Sequence, residues 1–140
     1  ARAKDLAAGL AMGHGHAPVT PMEKGPVNAQ LAETGRALVG VDGGFSCVAC
    51  HGVKNRDPLQ VFEAQGVNFS RVDERLHSEY FLRWMLDPLR VDPQTRMPDY
   101  CDDDARSVRV DVLEGDAKKQ IEAIRQYLRQ GKNMKIPVMQ

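Results

Sequence analysis

The sequence predicts an all-α fold. Three stretches, at 28–39, 78–86 and 117–130, carry apolar residues at helical spacing. Each opens on a residue suited to cap a helix, and each is closed by glycine or proline. The one alternating stretch, at 107–113, is short, and no internal repeat is present.

Taken in order, residues 1–26 carry weak organisation. An Ala-rich start leads into Gly13-His14-Gly15-His16-Ala17-Pro18, then Pro21 and Pro26. Glycine and proline at that density suit a linker or an extended arm. From 28 to 39 the pattern turns helical. Asn28 is a candidate N-cap, and Leu31, Gly35 and Leu38 fall on one side at i, i+4, i+7. A glycine inside a helix costs about 1 kcal/mol against alanine, so close approach of another helix is its expected reason. Gly40 and Gly43-Gly44 end the element, and Phe45 leads into Cys47-Val48-Ala49-Cys50-His51.

Residues 54–75 read mostly as loop, with Leu59, Val61, Phe62, Val67 and Phe69 as candidate pocket or core contacts. A second helix at 78–86 has Ser78 as its expected cap, and Phe81, Trp84 and Met85 share a face. Pro88 forces its end near Asp87. Residues 90–100 form an extended loop stiffened by Pro93 and Pro98, followed by Asp102-Asp103-Asp104, a solvated turn. Val108, Val110 and Val112 then alternate, as in a short strand or hairpin arm. The last helix, at 117–130, has Asp116 as cap, Gly131 as stop, and a stripe of Ala117, Ile121, Ile124 and Leu128.

At 140 residues the chain is one domain by length, with 42% hydrophobic and only 6% aromatic residues. Lys plus Arg (19) equals Asp plus Glu (19), so no global basic field exists to draw in nucleic acid. No apolar run reaches the length of a membrane-spanning helix. Without an initiator methionine or a signal peptide, the chain reads as a mature protein or a piece of a longer one.

The decisive pentapeptide is Cys47-Val48-Ala49-Cys50-His51, a CxxCH. Two thiols three positions apart on one turn can each add to a porphyrin vinyl group, giving two thioethers. The adjoining His51 can then offer an imidazole nitrogen to iron from below. One covalent haem c is therefore the expected cofactor, with Cys47, Cys50 and His51 holding it. A zinc knuckle would need two further ligands, and only Cys101 and His77 offer themselves, at no standard spacing. A redox dithiol needs a βαβ setting that is absent. Cys101 reads as a free thiol, since three cysteines make no disulfide framework.

Met97, in Thr95-Arg96-Met97-Pro98, is the expected second axial ligand, a soft thioether that favours ferrous iron. Met85 reads as a core residue, and Met134 and Met139 as tail residues and weak rivals. His14 and His16 read as part of a solvated linker, and His77 as a residue at the start of a helix. Trp84 and Tyr100 are candidate propionate donors through N–H and O–H. Arg96, with Arg71, Arg75 and Arg90, can offset propionate charge.

Together the helix before CxxCH, the helix ending Asp87-Pro88, the Arg96-Met97-Pro98 loop and the final helix ending Tyr127-Leu128 resemble a class I c-type cytochrome. The resemblance covers residues 28–130, and is nearest to cytochrome modules of bacterial multidomain oxidoreductases and small periplasmic carriers. It implies a cytochrome domain at 27–140, preceded by an arm or linker at 1–26. It implies that the first and last of the three helices cross, with Gly35 against Tyr127. The implied function is electron transfer on the periplasmic or cell-surface side of a bacterial membrane. The implied partner is a redox protein or a fused dehydrogenase domain. The alternative is a haem peroxidase or gas sensor with a labile sixth position. Two features depart from the family pattern. No proline stands about a dozen residues beyond His51 to accept its imidazole N–H, because Pro58 comes early and Gly66-Val67 has none. Residues 100–114 also exceed the usual link between methionine and last helix.

Overall fold

The computed structural model describes residues 2–15, 25–60 and 65–139. His16, Pro18, Pro21, Val61 and Phe62 lie outside the described residues. The molecule is helical, and among the described residues β-structure is limited to isolated bridges. Among the described residues five α-helices follow one another: α1 (Arg2–Gly13), α2 (Ala29–Val39), α3 (Ser78–Leu86), α4 (Pro88–Val91) and α5 (Ala117–Leu128).

The core is the meeting of α2 with α5. Asn28 caps α2 by accepting from Leu31 N at 3.0 Å, and Asp116 caps α5 by accepting from Lys119 N at 3.1 Å. Their buried faces carry Ala32, Leu38 and Val39 on α2 and Ile121, Ala123, Ile124, Tyr127 and Leu128 on α5. Gly35 is what lets them meet. A Cβ there would stand 2.0 Å from the Ala123 carbonyl oxygen and 2.8 Å from Ile124 N. The closest approach is therefore to Ala123 and Ile124, one turn before the expected Tyr127. Tyr127 is fully buried and donates its hydroxyl to the Lys135 carbonyl at 2.6 Å.

That last bond belongs to a feature the sequence did not announce. Gly131 takes a left-handed φ of 52° and turns the chain back after α5. The following residues pack on the body: Met134 is buried, and Val41 N donates to the Val138 carbonyl at 3.1 Å. Met134 is thus a core residue, not a tail residue. It is buried because the returning strand of chain covers the α2–α5 face.

Three further expectations are corrected. Residues 2–13 are helical, not an extended arm, because Ala, Leu, Arg and Lys carry high helix propensity up to the Gly13 and Gly15 breaks. None of the α1 side chains is buried. Second, Ser78 does not cap α3; the N-cap is His77, with no side-chain capping bond. The end of α3 is as expected, and Asp87 caps α4 by accepting from Arg90 N at 2.9 Å.

Third, residues 107–113 form no strand. Val108 and Val110 are 72% and 74% exposed. Ala105, Leu113 and Glu114 adopt φ of 57°, 48° and 61°, left-handed values that break an extended run. Bridges from Cys101 to Ser107 and from Arg106 to Asp116 fold the segment on itself. Gln120 of α5 then pins it, its buried Nε2 donating to the Arg109 and Val112 carbonyls at 2.7 and 2.6 Å. The extra length between 100 and 116 is a folded cap over the start of α5.

No helix among the described residues is long and apolar enough to cross a membrane.

Candidate haem-attachment site

Cys47, Val48 and Ala49 form a single 3₁₀ turn, entered from Ser46 in a left-handed conformation with φ 57°. Cys50 N and His51 N both donate to the Cys47 carbonyl, at 3.1 and 3.0 Å. The two thiols and the imidazole are therefore presented from one short, hydrogen-bonded turn. None of the three cysteines is in a disulfide. Cys47 is buried and Cys50 half-buried. Burial, helped by the neighbouring Cys50, pushes the Cys47 thiol up to about 12.

His51 is held from several directions. Its Nδ1 lies 2.9 Å from the Val67 carbonyl. A carbonyl only accepts, so Nδ1 carries the proton, and in the neutral ring Nε2 keeps its lone pair. The ring stacks on Phe69, with centroids 4.8 Å apart and planes 19° from parallel. Gly66 lies against it: a Cβ at Gly66 would stand 2.4 Å from both Nδ1 and Cε1. Gly66 N also donates to the Cys50 carbonyl at 2.9 Å, which fixes this loop beside the CxxCH turn. Burial holds the His51 pKa below the ordinary imidazole value, against the opposing pull of the Val67 carbonyl, so the neutral ring is favoured.

Val67 thus supplies the acceptor that the absent proline left open. A backbone carbonyl has no sequence signature, and the only hint was a lone glycine at 66 in a loop. Of the candidate pocket residues, Phe69 is buried, whereas Leu59 and Val67 are exposed.

Met97 is half-buried on the loop after α4. Its N–H donates to Thr95 Oγ1 at 3.2 Å, and its Sδ accepts the indole N–H of Trp84 at 3.0 Å. Trp84 stands on the last turn of α3 and stacks on Tyr80, with centroids 6.2 Å apart. The indole N–H, a candidate propionate donor by sequence, donates here to the methionine sulfur. Arg96 is exposed beside Met97. Tyr100 packs on Phe45 at 4.8 Å and lies near enough to Cys47 and Cys50 to feel their charge. Burial, first, and those thiols raise its hydroxyl pKa. Tyr100 and Phe45 thereby join the methionine loop to the CxxCH turn.

The other expected residues fall away from this cluster. Met85 is buried in the core, as expected. His14 and His77 are exposed. Cys101 donates to the Leu86 carbonyl at 3.4 Å, and burial, then Asp102, Asp99 and Asp87, raise its pKa. Among the described residues no three His, Cys, Asp or Glu side chains gather as a metal cage.

The residues present suit a covalently held haem. They provide two thiols on one turn, an imidazole with its second nitrogen already bonded, and a positioned thioether. No family model, curated protein or solved structure matches the chain.

Proposed function

We propose that the chain is a class I-like cytochrome c domain that transfers single electrons through one haem bound to Cys47 and Cys50. The observation that carries this reading is His51, which follows CxxCH directly and has Nδ1 tied to the Val67 carbonyl at 2.9 Å. That bond fixes the tautomer and the ring orientation, and leaves Nε2 as the donor to iron. Bound haem would supply one-electron cycling between ferric and ferrous iron.

The protein's own residues set the conditions for that cycling. Cys47 and Cys50 anchor the group from one turn. His51 and Met97 would together hold the iron of a bound haem, which would leave no place for substrate and separates this reading from a peroxidase or gas sensor. Phe69 and Gly66 keep the imidazole from rotating. Arg96 and Tyr100 serve the propionates, one by charge and one by its hydroxyl. Partners are redox proteins, or a dehydrogenase domain fused to the same chain, that dock weakly and briefly. Thioether attachment of this kind belongs outside the cytoplasmic membrane of a bacterium, so the periplasm or cell surface is the proposed location.

Optical spectra of the oxidised and reduced protein test this directly. The expected ferric spectrum is low-spin with the weak far-red band of sulfur ligation, and the ferrous protein is inert to carbon monoxide. A high-spin ferric spectrum, or rapid carbon monoxide binding by the untreated ferrous protein, would transfer the assignment to the enzyme or sensor class. A colourless protein that loses its fold to a chelator would transfer it to a zinc module.

A further inference from the structure

We propose that Gln120 anchors a buried binding site for a single water molecule, which completes the joint between α5 and the folded cap at 100–116. The site is built largely by the segment that exceeds the usual link between methionine and last helix, and it does not depend on the haem reading.

Two observations meet at Gln120. The first is an acceptor without a donor. Gln120 is 1% exposed, and its Nε2 donates to the Arg109 and Val112 carbonyls at 2.7 and 2.6 Å. A carbonyl only accepts, so both partners demand the N–H end of the amide, and the amide cannot be turned over. Oε1 is thereby fixed as an acceptor, and among the described residues nothing donates to it. A buried oxygen left in that condition is costly, and native folds supply a donor.

The second observation is space. Gln120 lines a small cavity together with Ser107, Cys101, Met85, Tyr100 and Ile121. It offers the centre of a water-sized sphere a volume of about 10 Å³, which is room for one water and for no larger ligand. Cavities that stay dry are lined by apolar groups alone, and this one is not. Ser107 is 5% exposed, and its Oγ accepts from Arg109 N at 3.0 Å. Its hydroxyl proton is then available to a water, which in turn donates to Gln120 Oε1. The Cys101 sulfur, whose own proton goes to the Leu86 carbonyl, is a weak acceptor for the second water proton. Three polar partners are within the usual number for a buried water.

The water therefore bridges two elements. Ser107 and Cys101 belong to the cap, and Gln120 belongs to α5. The amide nitrogen secures the far side of the cap at Arg109 and Val112, and the amide oxygen secures its stem through solvent. Tyr100 lines the same cavity and packs on Phe45 at 4.8 Å, so the joint extends to the residues beside the CxxCH turn.

The test uses the full chain and its Ser107→Ala variant. A crystal structure that resolves ordered solvent is expected to show one water about 2.8 Å from Gln120 Oε1. Proton NMR is expected to show a cross-peak between water and the Gln120 side-chain amide protons. In Ser107→Ala that water should exchange about fivefold faster, the factor for losing one ordinary hydrogen bond. A cavity without solvent density, or a protein N–H or O–H donating directly to Oε1, would overturn the inference. So would an exchange rate unchanged by Ser107→Ala. Should that variant fail to fold, the unaltered protein decides: density and cross-peak together support the site, and the absence of either overturns it. Neither readout depends on whether Met97 is an iron ligand.

Discussion

On the proposed haem ligation, replacing Met97 by alanine is expected to lower the reduction potential by on the order of 0.2 V, a part of the about 0.8 V range that axial ligands command. The thioether is a soft, neutral donor that stabilises the ferrous state, and alanine offers nothing in its place. Water or an added ligand then takes the position, so the ferric spectrum turns high-spin and the ferrous protein binds carbon monoxide. The haem stays attached, because Cys47, Cys50 and His51 lie on a different segment, secured by the Cys47 and Val67 carbonyls. Redox titration with spectra of both states checks this. A Met97→Ala protein with unchanged potential and sulfur band would mean that another methionine is the ligand. Met85 and Met134 are both buried in the core, so of the rivals at 85, 134 and 139 the half-buried Met139 would be the one to replace next.

Gly35→Ala is expected to be the most damaging single-methyl change in the scaffold. Two terms compete. Alanine gains about 1 kcal/mol over glycine in helix propensity. Against that, its Cβ would stand 2.0 Å from the Ala123 carbonyl oxygen and 2.4 Å from the carbonyl carbon. Both are backbone atoms in the middle of α5, which cannot rotate aside as a side chain could. Overpacking a core costs about 1–3 kcal/mol, and a clash with unyielding backbone belongs at the upper end. The net loss, on the order of 2 kcal/mol after the propensity gain, is a large share of the roughly 5–15 kcal/mol that holds a domain of this kind together. Denaturant unfolding of the haem-loaded protein should show a markedly lower midpoint. An unchanged or raised midpoint would contradict the α2–α5 contact.

Much of the scaffold was legible because short-range chemistry and tertiary structure agree there. Asn28 and Asp116 cap the helices they were expected to cap, Pro88 ends α3, and Gly35 marks a close crossing. The CxxCH pentapeptide was legible as one short turn, and the structure presents its two thiols and imidazole from a single 3₁₀ turn. What escaped is held by atoms or contacts without a local signature. The His51 partner is a backbone carbonyl of an exposed valine. The alternation of Val108, Val110 and Val112 had the right period, but Leu113 at its end and the flanking Ala105 and Glu114 take left-handed φ, and Gln120, from another element, fixes the fold. The α1 helix was hidden by the glycines and prolines that follow it, although its own composition favours a helix. The packing of Met134 depends on the chain reversal at Gly131, which a reading as tail does not foresee. The Trp84–Met97 bond could have been suspected only from a lone tryptophan on the helix that leads into the methionine loop.

A covalent bond between Cys47, Cys50 and one haem underlies the proposed electron transfer, and the mass of the polypeptide reports on that bond. The protein is produced in a bacterial host able to install c-type haem, then denatured and stripped of everything held non-covalently. The expected result is a chain heavier by a single haem, with the addition confined to the peptide that contains Cys47 and Cys50. A bare chain, with both thiols open to alkylation, would contradict it.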